Sequence, residues 1–390
     1  MENEGEERFV FLRLNQIGED MKDKKFRILA INPGSTSTKI SIFENEKELF
    51  TSNISHSKLE LDPFKRVWDQ YEFRKKLIKD LLEDNNIKPE SLSAVVGRGG
   101  LFRPVVSGTY IVNELMIEDG RKAYGGEHPA NLGAVLAFGI GWDFHIPAFI
   151  VDPPSVDEFE EISRYTGLPE IHRKSIFHAL NVKATARLAA SDLGKGIDEA
   201  NLIVAHLGGG VTVAALKKGK TVDANNALQS GPFTPERAGT LPMLEFAEWC
   251  FMQDTNLEEM KKRMVGGGGL VAYLGTNDCK EVEKRIEAGD KKAKIVYEAM
   301  IYQMACEIGA RAVALKGEID AIVLTGGLAK SKILVSKLKE WIGFLGKVLV
   351  YPGEDEMKSL ALGGLRVLRG EEEAKTYPET VKSETAHTFE

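Results

Sequence analysis

Cysteine is scarce: Cys250, Cys279 and Cys306 are three in 390 residues, far apart and odd in number. That speaks against a disulfide framework and a zinc cluster, and points to a reducing compartment. No apolar run approaches the ~20 residues that span a bilayer, and the acidic N-terminus lacks the basic-then-apolar layout of a secretory leader. A cytoplasmic location with no membrane partner is therefore expected. Basic blocks are missing as well. The 51 Lys and Arg and 58 Asp and Glu are interspersed at a net charge of -7, so no stripe is available to neutralise nucleic-acid phosphates.

What is present suits two globular lobes, since a chain of 390 residues that is 43% hydrophobic can fill two cores. After a polar stretch over residues 1–24, in which Met21 is an alternative start, a strand is expected at 26–31, a glycine- and hydroxyl-rich turn at 32–39 and a second strand at 40–43. The layout returns as a strand at 202–205, a glycine turn at 206–210 and a strand at 211–216. The closing turns at Asn45 and Gly219 stand at the same offset from Gly34 and Gly208. A duplicated hairpin of this kind implies two related lobes. Further strands at 92–96, 148–151 and 321–324 alternate with helical periodicity at 73–82, 177–190, 294–315 and 354–369, which gives an α/β class. Residues 373–390 read as a flexible tail.

The turns carry the chemistry. Gly34 lets backbone approach an anion closely, while Ser35, Thr36, Ser37 and Thr38 offer hydroxyls and amides and Lys39 a cation, a set that suits a polyphosphate. An ordinary Gly-Ser turn is the competing reading, and the recurrence at Gly208, Gly209 and Gly210 weighs against it. His206 sits at the end of the preceding strand, where a lone histidine is more often packed than functional. A third turn, Gly326-Gly327, follows a strand and precedes a helix, as where a nucleotide's sugar or base lies against bare backbone.

The pattern Asn32-x-Gly34-Ser35-Thr36-Ser37-x-Lys39, with the later His206-x-Gly208-x-Gly210-x-Thr212, resembles both signatures of the acetate and butyrate kinases. The family is similar to actin, the sugar kinases and the heat-shock chaperones. The resemblance implies duplicated ribonuclease-H-like (actin-like ATPase) domains with an ATP cleft between two lobes. It runs from about residue 26 to about 369, and places the N-terminal lobe at 25–152 plus about 353–372 and the C-terminal lobe at 153–352. Three segments favour the butyrate branch: 96–100 around Arg98, 231–242 around Arg237, and 270–278 ending in Asp278, which is counted with the nucleotide-binding residues.

Roles carried over by resemblance are specific. Asp152, at a strand end, would hold or orient Mg²⁺ and the acceptor, with a turn cap before Pro153 as the plain alternative. Arg98 would grip carboxylate or phosphoryl oxygens bidentately. His178 would donate to the transferring phosphoryl group, and Asn32 would help stabilise developing charge. Acetate kinases have a second arginine after Gly-Thr, whereas Gly239-Thr240 is followed here by Leu241 and Pro242. Arg237 either substitutes for it or pairs with Glu236 on the surface. The acidic metal residue falls at Asp355 or Glu356, with Glu356 preferred, and either could cap a helix. Alignment puts Glu127 where the family has a histidine, leaving His128 structural or catalytic.

The expected reaction is reversible in-line phosphoryl transfer between ATP (or ADP in reverse) and a small carboxylate. A carboxylate is ionised at neutral pH, so no strong general base is required. For the acyl pocket, Gly99 and Gly100 stand where acetate kinases carry valines and Gly126 where they carry leucine, making room that Phe177 and Pro235 wall. Each buried methylene is worth about 0.8 kcal/mol, which favours butyrate over acetate. Isobutyrate, propionate and acetate remain alternatives, as does a chaperone- or actin-like ATP switch. The resemblance also implies a homodimer or higher homo-oligomer.

Overall fold

The computed structural model describes residues 24–252 and 255–378. The expectations for residues 1–23 and for 379–390 lie outside the described residues. Two compact units share the chain: residues 1–157 with 355–390, and residues 158–354.

In the first unit, Arg27–Pro33 (β1), Ser37–Glu44 (β2) and Lys47–Ser55 (β3) form an antiparallel meander. Tyr71–Asp84 (α1) follows, then Ala94–Arg98 (β4), Thr109–Ile111 (β5), Asn131–Phe144 (α2) and Ala148–Val151 (β6). β4 runs parallel to β1, and β6 parallel to β4. The seven-stranded sheet is ordered from the short strand Lys375–Thr376 through β5, β6, β4, β1 and β2 to β3. Ile28, Leu29, Ala30 and Ile31 are all fully buried, as a strand covered on both faces requires. Val96 and Gly97 alternate between those faces. A Cβ on Gly364, in the helix Glu356–Leu368, would meet Val96, and one on Gly97 would lie 2.0 Å from the Gly133 carbonyl of α2. The two helices therefore cover opposite sides.

In the second unit, Ala179–Asp192 (α3) precedes a second meander of Leu202–Leu207 (β7), Val211–Lys217 (β8) and Lys220–Ala224 (β9). Lys291–Ala314 (α4), Ala321–Gly326 (β10), Lys332–Ile342 (α5) and Val348–Pro352 (β11) complete it, with β10 parallel to both β7 and β11. The order β9-β8-β7-β10-β11 repeats β3-β2-β1-β4-β6 strand for strand. Even the register shift between second and third strands recurs, at Ile42/Phe43 and at Ala215/Leu216.

The start of the tail is ordered. Lys375–Thr376 pairs with β5, and the Tyr377 hydroxyl donates to Asp119 Oδ2 at 2.6 Å and accepts from the Arg103 amide at 2.9 Å. Polarity hid this segment from the sequence reading, because a strand pair and one buried tyrosine hold it rather than an apolar run. Among the described residues, no helix is long and apolar enough to cross a membrane.

Candidate active site

In the first unit the candidate residues gather at the carboxyl ends of three neighbouring parallel strands, where open α/β sheets collect ligands. Asn32 lies near the end of β1, Arg98 ends β4, and Asp152 follows β6. Asn32 Nδ2 donates to Glu356 Oε2 at 2.6 Å, and Arg98 Nη1 to Glu356 Oε1 at 2.5 Å. Asp355 caps the helix that Glu356 begins, accepting from the Lys358 amide at 3.0 Å. Of the two acidic candidates, one is therefore used as a cap and the other faces Arg98. Asp152 is 1% exposed, has φ of 38°, and accepts from the Gly108 amide at 2.7 Å. A non-glycine residue held at positive φ is costly backbone of the kind that clusters at functional sites.

Gly34 closes the first turn by donating to the Ser37 carbonyl at 2.8 Å. Ser35, Thr36 and Lys39 are exposed and Ser37 half-buried, but the Thr38 hydroxyl points inward to His56 Nε2 at 2.8 Å. Sequence reasoning missed what lies under this turn. Arg74 of α1 is buried and reaches the carbonyls of Gly34, Ser35 and Ser37. The only signal was an arginine on a helix that otherwise read as amphipathic.

The second unit assembles the other candidates around β7 and β8. His206 is buried, with Nδ1 2.9 Å from Asn181 Oδ1 and Nε2 3.6 Å from Glu354 Oε2. His178, just before α3, stacks on it with centroids 4.2 Å apart and places Nδ1 2.8 Å from Thr212 Oγ1. Both rings are thereby oriented, His206 by Asn181 and His178 by Thr212.

Arg237 is half-buried rather than on the surface, and no ion pair joins it to Glu236 among the described residues. Its guanidinium rests on Gly210, where a Cβ would lie 2.2 Å from Nη1, and Nη1 donates to the Ala227 carbonyl at 2.9 Å. Nε is buried without a hydrogen-bond partner, and burial lowers the guanidinium pKa. Gly209 is faced by the Glu236 carboxylate and held by Thr234 Oγ1, while Gly208 lies beside His206. Gly326 has φ of 90° and packs on Leu207, so only glycine fits there; Gly327 faces open space. Asp278 caps the helix Cys279–Glu287 by accepting from the Lys280 amide at 2.8 Å.

With the geometry in place, kinship can be read. A protein named "Probable butyrate kinase 2" from Caldanaerobacter subterraneus subsp. tengcongensis is 53% identical over 352 residues, 90% of this chain and 99% of that protein. The Acetokinase family model matches residues 169–349. The chain belongs to the acetokinase family. Two solved structures share its fold: an acetate kinase from Porphyromonas gingivalis (20% identity, TM-score 0.74, 88% of this chain and 100% of that one) and a propionate kinase from Francisella tularensis subsp. tularensis (19%, 0.71, 87% and 98%).

One expectation for this family member is corrected by the structure. Gly99 and Gly100 do not open a pocket: a Cβ on Gly99 would lie 2.5 Å from Pro153 Cβ, and one on Gly100 would lie 2.6 Å from Asn131 Cα. The missing bulk is filled by Pro153 at Gly99 and by the first residue of α2 at Gly100. A Cβ on Gly126 would meet Leu101 Cδ1 at an uncrowded 3.9 Å, and its φ of 113° is what calls for glycine. Phe177 and Pro235 are buried in the second unit. His128 Nδ1 accepts from the Ala130 amide at 3.1 Å, a local turn contact, and Glu127 pairs with Arg66 at 2.7 Å.

No three His, Cys, Asp or Glu side chains converge on a metal site among the described residues. Mg²⁺ would not require such a cluster, since this ion typically takes one or two carboxylates and completes its octahedron with phosphates and water. Asp152, which follows β6, and Glu356, which opens the helix Glu356–Leu368 and faces Arg98, are carboxylates that could take such a role.

Proposed function

We propose that this protein is an ATP-dependent kinase of short-chain fatty acids, with butanoate the preferred acceptor. The observation that carries the reading is 53% identity over 90% of the chain to a protein named a butyrate kinase. The presence of Arg98, Glu356 and Asn32 together at the carboxyl edge of one sheet supports it. In the forward direction a carboxylate oxygen bonds to the γ-phosphorus of ATP while the bond from that phosphorus to the β,γ-bridging oxygen breaks. ADP leaves with the electron pair, and an acyl phosphate remains. Arg98 grips anionic oxygens, and His178, Asn32 and Arg237 stabilise the charge spreading over the transferring group. The glycine turns at Gly34 and Gly208–Gly210 cradle phosphates. Asp152 and Glu356 would hold Mg²⁺, which would supply charge neutralisation of the phosphates. Incubation with MgATP, butanoate and hydroxylamine should yield the acyl hydroxamate; ATP hydrolysis without hydroxamate would instead favour an ATP switch. Comparing kcat/KM across acetate, propionate, butanoate and isobutanoate tests the acyl preference.

A second copy of the chain is the macromolecular partner we assign, on the outer face of α4. Its inner face packs in the core, while Ile295, Tyr302, Cys306 and Val313 are exposed, with the half-buried Ala299 and Gly309 between them at steps of four and three and Tyr302 resting on Trp341, a coiled-coil seam. Antiparallel docking makes this seam self-complementary: Ile295 meets the partner's Val313, Ala299 the partner's Gly309, and Tyr302 the partner's Cys306. Charge agrees. Lys291, Lys292 and Lys294 crowd the N-terminal turn, where the helix dipole opposes them, and antiparallel pairing brings them to the partner's helix C-terminus, close to its Glu318. Ile295 and Val313 are 64% and 77% exposed, so changing either leaves the fold intact. By sedimentation, Ile295→Lys or Val313→Glu alone should halve the assembly, and the double variant should restore it. A monomeric wild type, or a double variant no better than the singles, would refute the pairing.

A further inference from the structure

Arg74 is 1% exposed, yet among the described residues no carboxylate pairs with it. Its hydrogen bonds all go to neutral acceptors. Nη1 donates to the Gly34 and Ser37 carbonyls and Thr38 Oγ1, each at 2.9 Å, and Nη2 to the Ser35 carbonyl at 3.3 Å. Nε and Nη2 share Gln70 Oε1 at 3.0 and 2.7 Å. The neighbouring His56 is neutral, because burial and the Arg74 charge push its pKa down to about 4, so it neither offsets the cation nor adds a second one. Burial lowers the Arg74 pKa only to about 10, so the cation persists at neutral pH. A buried, uncompensated charge costs several kcal/mol, and folds rarely retain one without a use.

The geometry of the turn supplies the use. In a planar peptide, a carbonyl and the N–H of the next residue point opposite ways. With the Gly34 and Ser35 carbonyls drawn in to Arg74, the Ser35 and Thr36 amides turn outward, and neither donates to any described residue. Outward amides over a buried cation make a concavity for an anion.

We propose that Arg74 is a positioning residue of the first phosphate turn: its fork fixes the turn's outward amides, and a bound polyphosphate serves as its missing counter-ion. This rests on the kinase reading above for the ligand's identity. The role is electrostatic as well as structural, which separates it from simple packing. Gln70, near-isosteric with glutamate, gives the means to test it. Gln70→Glu supplies Arg74 with an internal counter-ion while preserving every contact with the turn.

The full-length protein is used for thermal denaturation with and without inorganic pyrophosphate, and for steady-state kinetics. Gln70→Glu should melt no lower than wild type, lose most of the stabilisation by pyrophosphate, and raise KM for ATP about tenfold or more with the carboxylate KM unchanged. Arg74→Lys, which keeps charge but not the fork, should retain part of the pyrophosphate effect and lower kcat. A purely structural role predicts that Gln70→Glu leaves both ATP KM and pyrophosphate stabilisation within twofold of wild type, and that result would overturn the proposal. If the wild type makes no acyl phosphate but Gln70→Glu still abolishes pyrophosphate stabilisation, the kinase reading fails and this one stands.

Discussion

Arg98→Met should lower kcat/KM for acyl phosphate formation by about 10³-fold while leaving the melting temperature nearly unchanged. Two features combine to give this split. Arg98 and Glu356 side chains are each 22% exposed, so the orphaned Glu356 carboxylate relaxes toward water, and the loss of stability is about 1 kcal/mol or less. The catalytic loss is larger because a charge-assisted donor aimed at developing negative charge is worth about 10²–10³ in rate. Arg98→Lys keeps the charge but not the planar fork and should fall between. Initial rates by hydroxamate formation, set beside thermal denaturation, measure both halves. A loss under tenfold would mean that Arg98 merely anchors Glu356. Glu356→Gln then becomes informative, since it frees Arg98 of its ion pair while keeping the bond to Asn32 possible.

The candidate residues that were legible in the sequence stand at strand ends. Asn32, Arg98 and Asp152 each close a run of buried β residues, and a run of that kind has a recognisable end; the glycine turns at Gly34 and Gly208 add a repeat with matching offsets. The helical periods at 73–82 and 294–315 fall inside Tyr71–Asp84 and nearly coincide with Lys291–Ala314, because apolar spacing reports the face turned to the core. Arg74 was illegible for the converse reason. Three of its acceptors lie about forty residues earlier in the chain and are backbone carbonyls, which have no sequence identity. The choice between Asp355 and Glu356 was equally closed to sequence, since two adjacent acids can each cap a helix and only the backbone direction says which one does. Asp278 shows the same ambiguity falling the other way: a carboxylate inside a family-like segment that caps its own helix.

Gly100→Val should destabilise the fold by about 3 kcal/mol and lower kcat/KM for acetate and butanoate by the same factor, contrary to the pocket argument that missing bulk at this position first suggests. A Cβ here would lie 2.4 Å from Asn131 Oδ1 and 2.9 Å from its amide nitrogen, both inside van der Waals contact. Asn131 cannot yield cheaply. Its side chain accepts from the Leu101 amide at 2.8 Å and donates to the Gly126 carbonyl at 2.9 Å, and its backbone opens α2. Overpacking against backbone costs about 1–3 kcal/mol or more, and two hydrogen bonds are strained in addition. The damage reaches the site through α2, whose Gly133 lies directly on the Arg98 carbonyl, so it falls on every acyl substrate alike. Chemical denaturation and paired kinetics on the two acids decide the matter: an unchanged unfolding midpoint with butanoate alone impaired would make Gly100 a wall of the acyl pocket after all. Gly126→Ala is the control. Its added methyl meets only Leu101 Cδ1 at 3.9 Å, so any penalty reflects its φ of 113° rather than crowding.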